Sequence, residues 1–503
     1  MTPDLNTPPV VSDASKRRDS SWDIRNAPRN YISLVLFQVG SALFSFGAVW
    51  LITRHLGSEG YGGIIAIIAA SQVAQVLVNW TSVAVVRFGV DEFIETEKIA
   101  RTFWLRFLVL AANLILVAAV SSFWFPPLAD WLKLTPESFW LVMTHFAVTS
   151  LWIHVQMSLQ GAKLPRVQGF LMMIERLLIF AGLFALTASA WLTPSWAMIC
   201  YIAAPAAALI WGIFELRRYI WSRFSVDRVF VQKFVAYSLP LLPFSLVGYF
   251  SGSYVDAIFL SKFLSTSDLG VYSVATQING IALQLPTLAN SLLLPLFVTL
   301  QRETENQRSF NYFRNVLPTL TLLWSLACTA LAFVAYFAIP MVFGAEFQGA
   351  SSVLWVLLAG SAIALPALLG YFPFTNAVSA TYISMIGGVL AAIANVIANF
   401  LLIPKFGLIG CAYATALSYL VNVLTSALLL RVTSGLPISW NLVALLPAAA
   451  CGSWFFFTEN IWISIAIFVF SVLFLAVLKS VSIRRGIGFV YTMIKGDEQT
   501  ATL

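Results

Sequence analysis

The sequence predicts an all-α integral membrane protein with about fourteen transmembrane helices. Twelve form two pseudo-symmetric six-helix lobes around a central cavity, and two more follow at the C-terminal end. Three observations carry this expectation. Of 503 residues, 59% are hydrophobic and only 10% are charged, far from the composition of a soluble globular domain. Apolar runs of roughly 20 residues, the helical length that crosses a hydrocarbon core of about 30 Å, recur along the chain without the dyad alternation of a membrane β-barrel. A polar, glycine-studded connection is also written twice, 208 residues apart.

A window of about 19 residues places apolar spans at 30–52, 61–86, 102–125, 138–160, 168–190, 194–214, 234–261, 271–297, 313–338, 350–372, 380–402, 408–430, 439–457 and 460–479. Lys and Arg collect in cytoplasmic loops. With the N-terminus inside, 24 of the 29 basic residues fall in inner segments, and only Arg54, Lys133, Lys262 and Lys405 fall in outer ones. A missed or invented span before the last would reverse every later loop and spoil this split, so both termini are expected in the cytoplasm. The chain then divides into a disordered tail over 1–28, lobes over 29–220 and 221–432, two further spans over 433–482 and a tail over 483–503. No short apolar segment with a small-residue cleavage site follows the first tail, so it does not read as a signal peptide.

Composition also excludes several function classes. The net charge of +7 belongs to the inner loops rather than to a nucleic-acid partner. Cys200, Cys328, Cys411 and Cys451 stand singly in apolar runs, with neither a disulfide framework nor metal-ligand spacing. No GxxxxGK[ST] loop is present to cradle nucleotide phosphates. The outer connections are short, the longest being roughly 126–137, so there is no room for a soluble-style active site. The expectation is a non-enzyme without metal or cofactor that works within its helices.

The repeat frames that work. LITRHLGSEGYGGI (Leu51 to Ile64) and LSKFLSTSDLGVYS (Leu260 to Ser273) each join the first two spans of a lobe, and the shift of 208 pairs Arg54 with Lys262, Leu56 with Leu264, Ser58 with Thr266 and Gly62 with Gly270. Six spans separate the copies, so both lie on the outer side and the repeat is parallel, about an axis along the membrane normal. Residues three, four and seven apart share a helix face. Such stripes hold Gln38, Ser41 and Ser45 in span 1; Gln72, Gln75 and Asn79 in span 2; Ser245, Tyr249, Gly252 and Asp256 in span 7; and Gln277, Gly280, Gln284, Thr287 and Ser291 in span 8. Lipid penalises a polar face and a water-filled cavity does not. The alternative is hydrogen bonding between helices. Four stripes in matching places favour a shared cavity.

These repeats, the stretch SLPLLPFSLVGYFSGSYVDAIFLSKFLSTSDLGVYSVA (Ser238 to Ala275), SLQGAKLPRVQGFLMMIERLLIF (Ser158 to Phe180) and LLIPKFGLIGCAYATALSYLV (Leu401 to Val421) resemble the polysaccharide transporter and O-antigen flippase (Wzx-like) branch of the multidrug/oligosaccharidyl-lipid/polysaccharide superfamily. The likeness covers roughly residues 30–430. It implies a MATE-like or MurJ-like pair of bundles around a V-shaped cavity that opens alternately to either side, lined chiefly by the first two helices of each lobe. One position departs from the family pattern: a basic residue usually follows the Asp of the seventh helix, whereas Ala257 follows Asp256.

Charges within the membrane cost about 2.5–3.5 kcal/mol at a helix centre on insertion scales and so mark candidate sites. Asp256 lies 21 residues beyond Val235, about 32 Å along a helix, which suits an outer-gate carboxylate paired with Lys262 or Arg54. Glu175 and Arg176 stand about two turns into span 5, facing the cavity or snorkelling to the interface. Arg29 and Arg87, at the inner ends of spans 1 and 2, are placed to receive a phosphate through their forked donors, or to anchor the helices at the interface. His145 and His154 read as packed or hydrogen-bonded, and Asn395 and Asn399 as links between helices.

The resemblance implies a flippase of the bacterial cytoplasmic membrane. It would move an undecaprenyl-diphosphate-linked oligosaccharide for exopolysaccharide, capsule or O-antigen assembly, beside a polymerase and chain-length machinery, and would couple to a proton or sodium gradient through Asp256 or Glu175. The alternatives are a drug or small-solute antiporter, a peptidoglycan-precursor flippase and a membrane enzyme of polysaccharide assembly.

Overall fold

A computed structural model describes residues 13–222, 227–239, 253–302, 306–378, 380–458 and 460–478. The described residues form helices and no strand. They are α1 (Asp13–Val78), α2 (Ser82–Thr96), α3 (Ala100–Ala119), α4 (Ser121–Leu132), α5 (Ser138–Gly161), α6 (Pro165–Ala188), α7 (Pro194–Ile220), α8 (Arg228–Ser238), α9 (Ser253–Phe263), α10 (Thr266–Arg302), α11 (Asn306–Asn311), α12 (Leu317–Phe343), α13 (Gln348–Pro366), α14 (Phe372–Ala377), α15 (Thr381–Ser434), α16 (Ser439–Val443), α17 (Leu446–Thr458) and α18 (Ile461–Leu478).

Eight stretches among the described residues are long and apolar enough to cross a membrane, and this is a multi-pass membrane protein. Two of the eight are pairs of helices joined at a glycine. Gly57 in α1 has φ 68° and Gly407 in α15 has φ 59°, left-handed conformations that glycine adopts without strain. Expected spans 1 and 2, and 11 and 12, fall on these bent elements. The last two expected spans fall on the shorter apolar helices Asn441–Gly452 and Ile461–Leu475. Helix α1 begins at Asp13, inside the segment read from the sequence as a tail.

Helix ends follow local chemistry. Thr193 caps α7 by accepting from Trp196 N at 3.3 Å, with Pro194 in the first turn, where its missing N–H costs nothing. Glu92 caps α3 from a distance, accepting from Arg101 N at 2.8 Å and Thr102 N at 2.9 Å.

Helices α1, α2, α5, α6 and α7 pack on one another, as do α10, α12, α13 and α15, and the two sets meet mainly along α1 and α10. The most enclosed element is Ala345–Ala377, 89% buried across its apolar window, with α12, α10, α15 and α17 around it. Outward faces carry Leu43, Ile115, Phe123, Trp140 and Phe184, as a lipid-facing surface requires.

The two ends of the bundle are distinct. At one, the Gly57 turn, Lys133, Leu264 and Met341 come together. At the other, Ile99 N donates to Tyr219 O at 3.0 Å and Trp104 Nε1 to Ile220 O at 3.1 Å. These are the groups that the charge pattern assigned to opposite sides.

Candidate functional site

Both arms of α1, with α5, α6, α7 and α10, enclose a cavity of about 180 Å³. Its polar lining comes from Ser45, Tyr61 and Gln72 of α1, His145 and Thr149 of α5, Glu175 and Arg176 of α6, Tyr201 of α7 and Gln277 of α10. Several are held by neighbours. Trp152 Nε1 donates to Glu175 Oε2 at 2.8 Å, and Arg176 Nη2 stands 3.9 Å from Glu175 Oε1. Ser71 donates to Ile68 O at 2.8 Å, so its contact with His145 Nδ1 at 2.6 Å has the ring nitrogen as donor. Gln75 Nε2 donates to Thr149 Oγ1 at 2.6 Å, and Thr149 donates in turn to His145 O. The site presents a guanidinium, a carboxylate, an imidazole, amides and hydroxyls within apolar walls.

The hairpin end of the bundle is closed by a reciprocal clasp. A Cβ on Gly62 would lie 1.9 Å from Thr266 O, and one on Gly270 would lie 2.0 Å from Ser58 O. These four residues are two pairs matched by the 208-residue shift, so the two copies of the repeat cross backbone to backbone. Ser58 Oγ stands 2.6 Å from Ser267 Oγ and donates to Glu346 Oε2 at 2.9 Å. Arg54 Nε donates to Val342 O at 2.7 Å, and Nη2 donates to Met341 O, at the carbonyl end of α12 where a cation is favoured. From the second half, Lys262 lies 3.9 Å over the Trp131 ring, while Lys133 Nζ donates to Leu264 O. Each half thus grips the other.

A third cluster lies wholly in the second half. Asp256, 3% exposed, accepts from Tyr272 Oη at 2.8 Å, Thr415 Oγ1 at 2.9 Å and Asn399 Nδ2 at 3.1 Å. Asn399 Nδ2 also donates to Asn395 Oδ1 at 3.0 Å, and Asn399 Oδ1 is buried without a hydrogen-bond partner among the described residues. No described ion pair reaches the carboxylate. The pairing with Lys262 or Arg54 expected from sequence is not made, because those cations are engaged by the Trp131 ring and by the carbonyls of α12.

The family model described as "Polysaccharide biosynthesis protein" matches residues 27–301, more than half of the chain. The chain belongs to that family. Among curated proteins, it is similar to the "Probable low-salt glycan biosynthesis flippase Agl15" of Haloferax volcanii, 29% identical over 183 residues. That alignment covers 36% of this chain and 38% of the relative, so the chain matches well under half of that protein's length. Among solved structures, the "Lipid II flippase MurJ, inward closed conformation" superposes with a TM-score of 0.65 at 16% identity, covering 88% of this chain and 98% of that one. A multidrug resistance MATE family transporter of the MOP superfamily, in an inward-facing conformation, gives 0.58 at 13% identity, covering 80% and 97%. The fold of this polysaccharide biosynthesis family member is therefore the two-bundle fold of that superfamily, and the resemblance seen in the sequence holds.

The structure sorts the residues singled out from sequence. Ser45, Gln72, Glu175, Arg176 and Gln277 meet in the cavity. Gln75 and Asn79 are not among its lining residues and act as links between helices, Gln75 to the lining residue Thr149 and Asn79, at 3.4 Å, to Ser150. Gln38 and Ser41 are half-buried on α1, and Ser41 donates back to Phe37 O. Gln284 is half-buried two turns beyond Gln277. Arg87 is exposed and paired with Asp91 at 3.0 Å. Tyr249 and the side chain of Arg29 lie outside the described residues. Tyr61, His145, Thr149 and Tyr201 complete the lining without having been singled out for it. Arg106, counted with the inner cations although it lies inside the expected span 102–125, is fully buried in α3.

Proposed function

We propose that this chain is a flippase that carries an undecaprenyl-diphosphate-linked oligosaccharide from the inner to the outer leaflet of a bacterial cytoplasmic membrane by alternating access. The single observation that carries the reading is the polar cavity at the junction of the halves, in which Arg176 is set among amides, hydroxyls and tyrosines while the hairpin end is clasped. A saccharide head group cannot cross hydrocarbon alone. In the cavity its phosphate meets the Arg176 donors and its hydroxyls meet Gln72, Gln277 and Ser45, while the prenyl tail stays in lipid. The Haloferax relative's printed function and the MurJ-like fold support the same direction. The cavity lining also includes the Glu175 carboxylate and two tyrosines, groups that suit an organic cation, so a small-solute antiporter is the second reading.

Asp256 is the proposed coupling site. The cluster offers carboxylate and amide oxygens, one of them unpartnered, and such a hard-oxygen set suits a proton or a sodium ion rather than a thiophilic metal. Asp256, Asn395, Asn399 and Thr415 would hold it.

The test is leaflet-specific. The protein is reconstituted in vesicles with a fluorescent undecaprenyl-diphosphate oligosaccharide, and loss of signal to a membrane-impermeant quencher or lectin is followed. Accelerated crossing that Arg176→Ala slows is the expected result. Crossing at the rate of protein-free vesicles, with uptake of cationic dyes instead, would replace this reading with the second one.

A further inference from the structure

The expected second span is not one continuous helix. Helix α1 stops at Val78 and α2 starts at Ser82. Asn79 N still bonds to Gln75 O at 3.0 Å, but Ser82 N turns to Asn79 O at 2.9 Å, and among the described backbone bonds none from Trp80 or Thr81 continues the ladder. Asn79, Trp80 and Thr81 include neither Pro nor Gly, so the surroundings and not the local sequence set this break.

Both pieces lean on α5, one through Ser71–His145 and Gln75–Thr149 and the other through Gly89–Gly161, and the first also crosses α10. Residues 58–78 carry Tyr61 and Gln72 of the cavity and cross the second half at Gly62. Helix α2 is fastened to α3 and α5 of its own half, and its Phe88 also packs on Phe230 and Phe234 of α8 in the second. Glu92 accepts from the first amides of α3 and from Thr102 Oγ1 at 2.7 Å, and Gly89 meets α5 so closely that a Cβ there would lie 3.2 Å from the Gly161 Cα. The piece before the break carries the crossing at Gly62, and the piece after it carries the tie to α3.

Arg106 of α3 sits at the joint, with 0% exposure. Its Nη2 donates to Asn79 Oδ1 at 2.9 Å. Its Nε and Nη1 are buried without a hydrogen-bond partner among the described residues, and so is Thr81 Oγ1 beside the break. A guanidinium inside a membrane bundle is costly, and unused donors add to the cost. In this arrangement one side of the fork is spent on the break and the other is idle.

We propose that residues 79–81 form a hinge in the second span and that Arg106 is its positioning residue. When residues 58–78 tilt to part the clasp, carbonyls uncovered at the break are received by Nε and Nη1. The guanidinium is then better paired in the parted arrangement than in the clasped one. This rests on the alternating-access reading above and adds to it the place where the first half bends.

The experiment uses the full chain in lipid nanodiscs, with Ser58→Cys as reporter. Ser58 is 4% exposed inside the clasp, so its alkylation by a soluble maleimide, followed by mass spectrometry at that position, proceeds only while the clasp is parted and reads even a small parted population. Arg106→Gln is expected to slow alkylation at least tenfold, and Arg106→Lys, which keeps the charge but not the fork, to fall between. Asn79→Asp retains Arg106 and strengthens its grip in the clasped arrangement, so it slows alkylation too and stands in should Arg106→Gln not fold. Rates within twofold of the parent in the folded variants, or faster ones, would overturn the hinge, because a merely structural residue would lower stability without moving this ratio. The vesicle assay separates the two ideas. Saccharide crossing with unmoved alkylation rates refutes the hinge alone, and moved rates without crossing refute the substrate assignment alone.

Discussion

Placing one methyl group in the clasp should unlock it. In Gly62→Ala the new carbon would stand 1.9 Å from Thr266 O and 2.9 Å from its carbonyl carbon, against ordinary contacts of 3.4 Å or more. The obstacle is backbone on both sides, so no side chain can swing away, and the crossing must widen by roughly 1.5 Å, the difference between 1.9 and 3.4 Å. Overpacking of this kind costs about 1–3 kcal/mol. Charged to the clasped arrangement alone, that is a shift of roughly 5- to 150-fold toward the parted one. Spin labels on cysteines replacing Glu59 and Ala345, both exposed at the hairpin end, read the change as a second, longer population in the distance distribution. Gly270→Ala should produce the same population, because its Cβ meets Ser58 O at 2.0 Å. The double variant should be less than additive, since one crossing cannot be broken twice. Distributions for Gly62→Ala and Gly270→Ala that match the parent would refute the reasoning.

Three further outcomes are expected. Asp256→Asn should abolish the dependence of translocation on an imposed proton or sodium gradient while leaving the protein folded, measured in the same vesicles under ionophores. Glu175→Gln, which keeps the shape but removes the charge that accepts from Trp152, should lower crossing several-fold with a smaller loss of thermal stability, about 1 kcal/mol, the difference between a charge-assisted and a neutral hydrogen bond. Glu92→Ala removes the acceptor for two α3 amides and one hydroxyl. It should lower the midpoint of thermal unfolding by an amount equivalent to about 1–2 kcal/mol, the scale of a lost helix cap; an unchanged midpoint would deny the cap any energetic role.

Hydropathy and charge made the helices and the two ends of the bundle legible, because both depend on composition along a single segment. The repeat was legible for a stronger reason. Gly62 and Gly270 are the same position written twice, and a crossing of two equivalent helices requires the small residue in both. Helical spacing identified polar faces but not what they face: Gln72 meets the cavity while Gln75, three residues on, meets Thr149. Asp256 was recognisable as unusual, but two of its partners, Asn399 and Thr415, lie 143 and 159 residues away in sequence. Arg106 was counted with the inner cations although its expected span began at residue 102, because hydropathy places a span without telling which of its charges is buried. The break at 79–81 left no mark in the sequence, since no helix-breaking residue occupies it.

Among the described residues, the cavity draws eight of its nine polar groups from the first half, whereas the acid cluster is built in the second. A doubled bundle has thereby divided its labour. On the proposed reading, one copy became the hold and the other the motor, and the glycine crossing is where they must still agree. Cargo preference can then drift through substitutions in the first copy without disturbing the ion that drives the second. A family built this way could serve many saccharides with one engine.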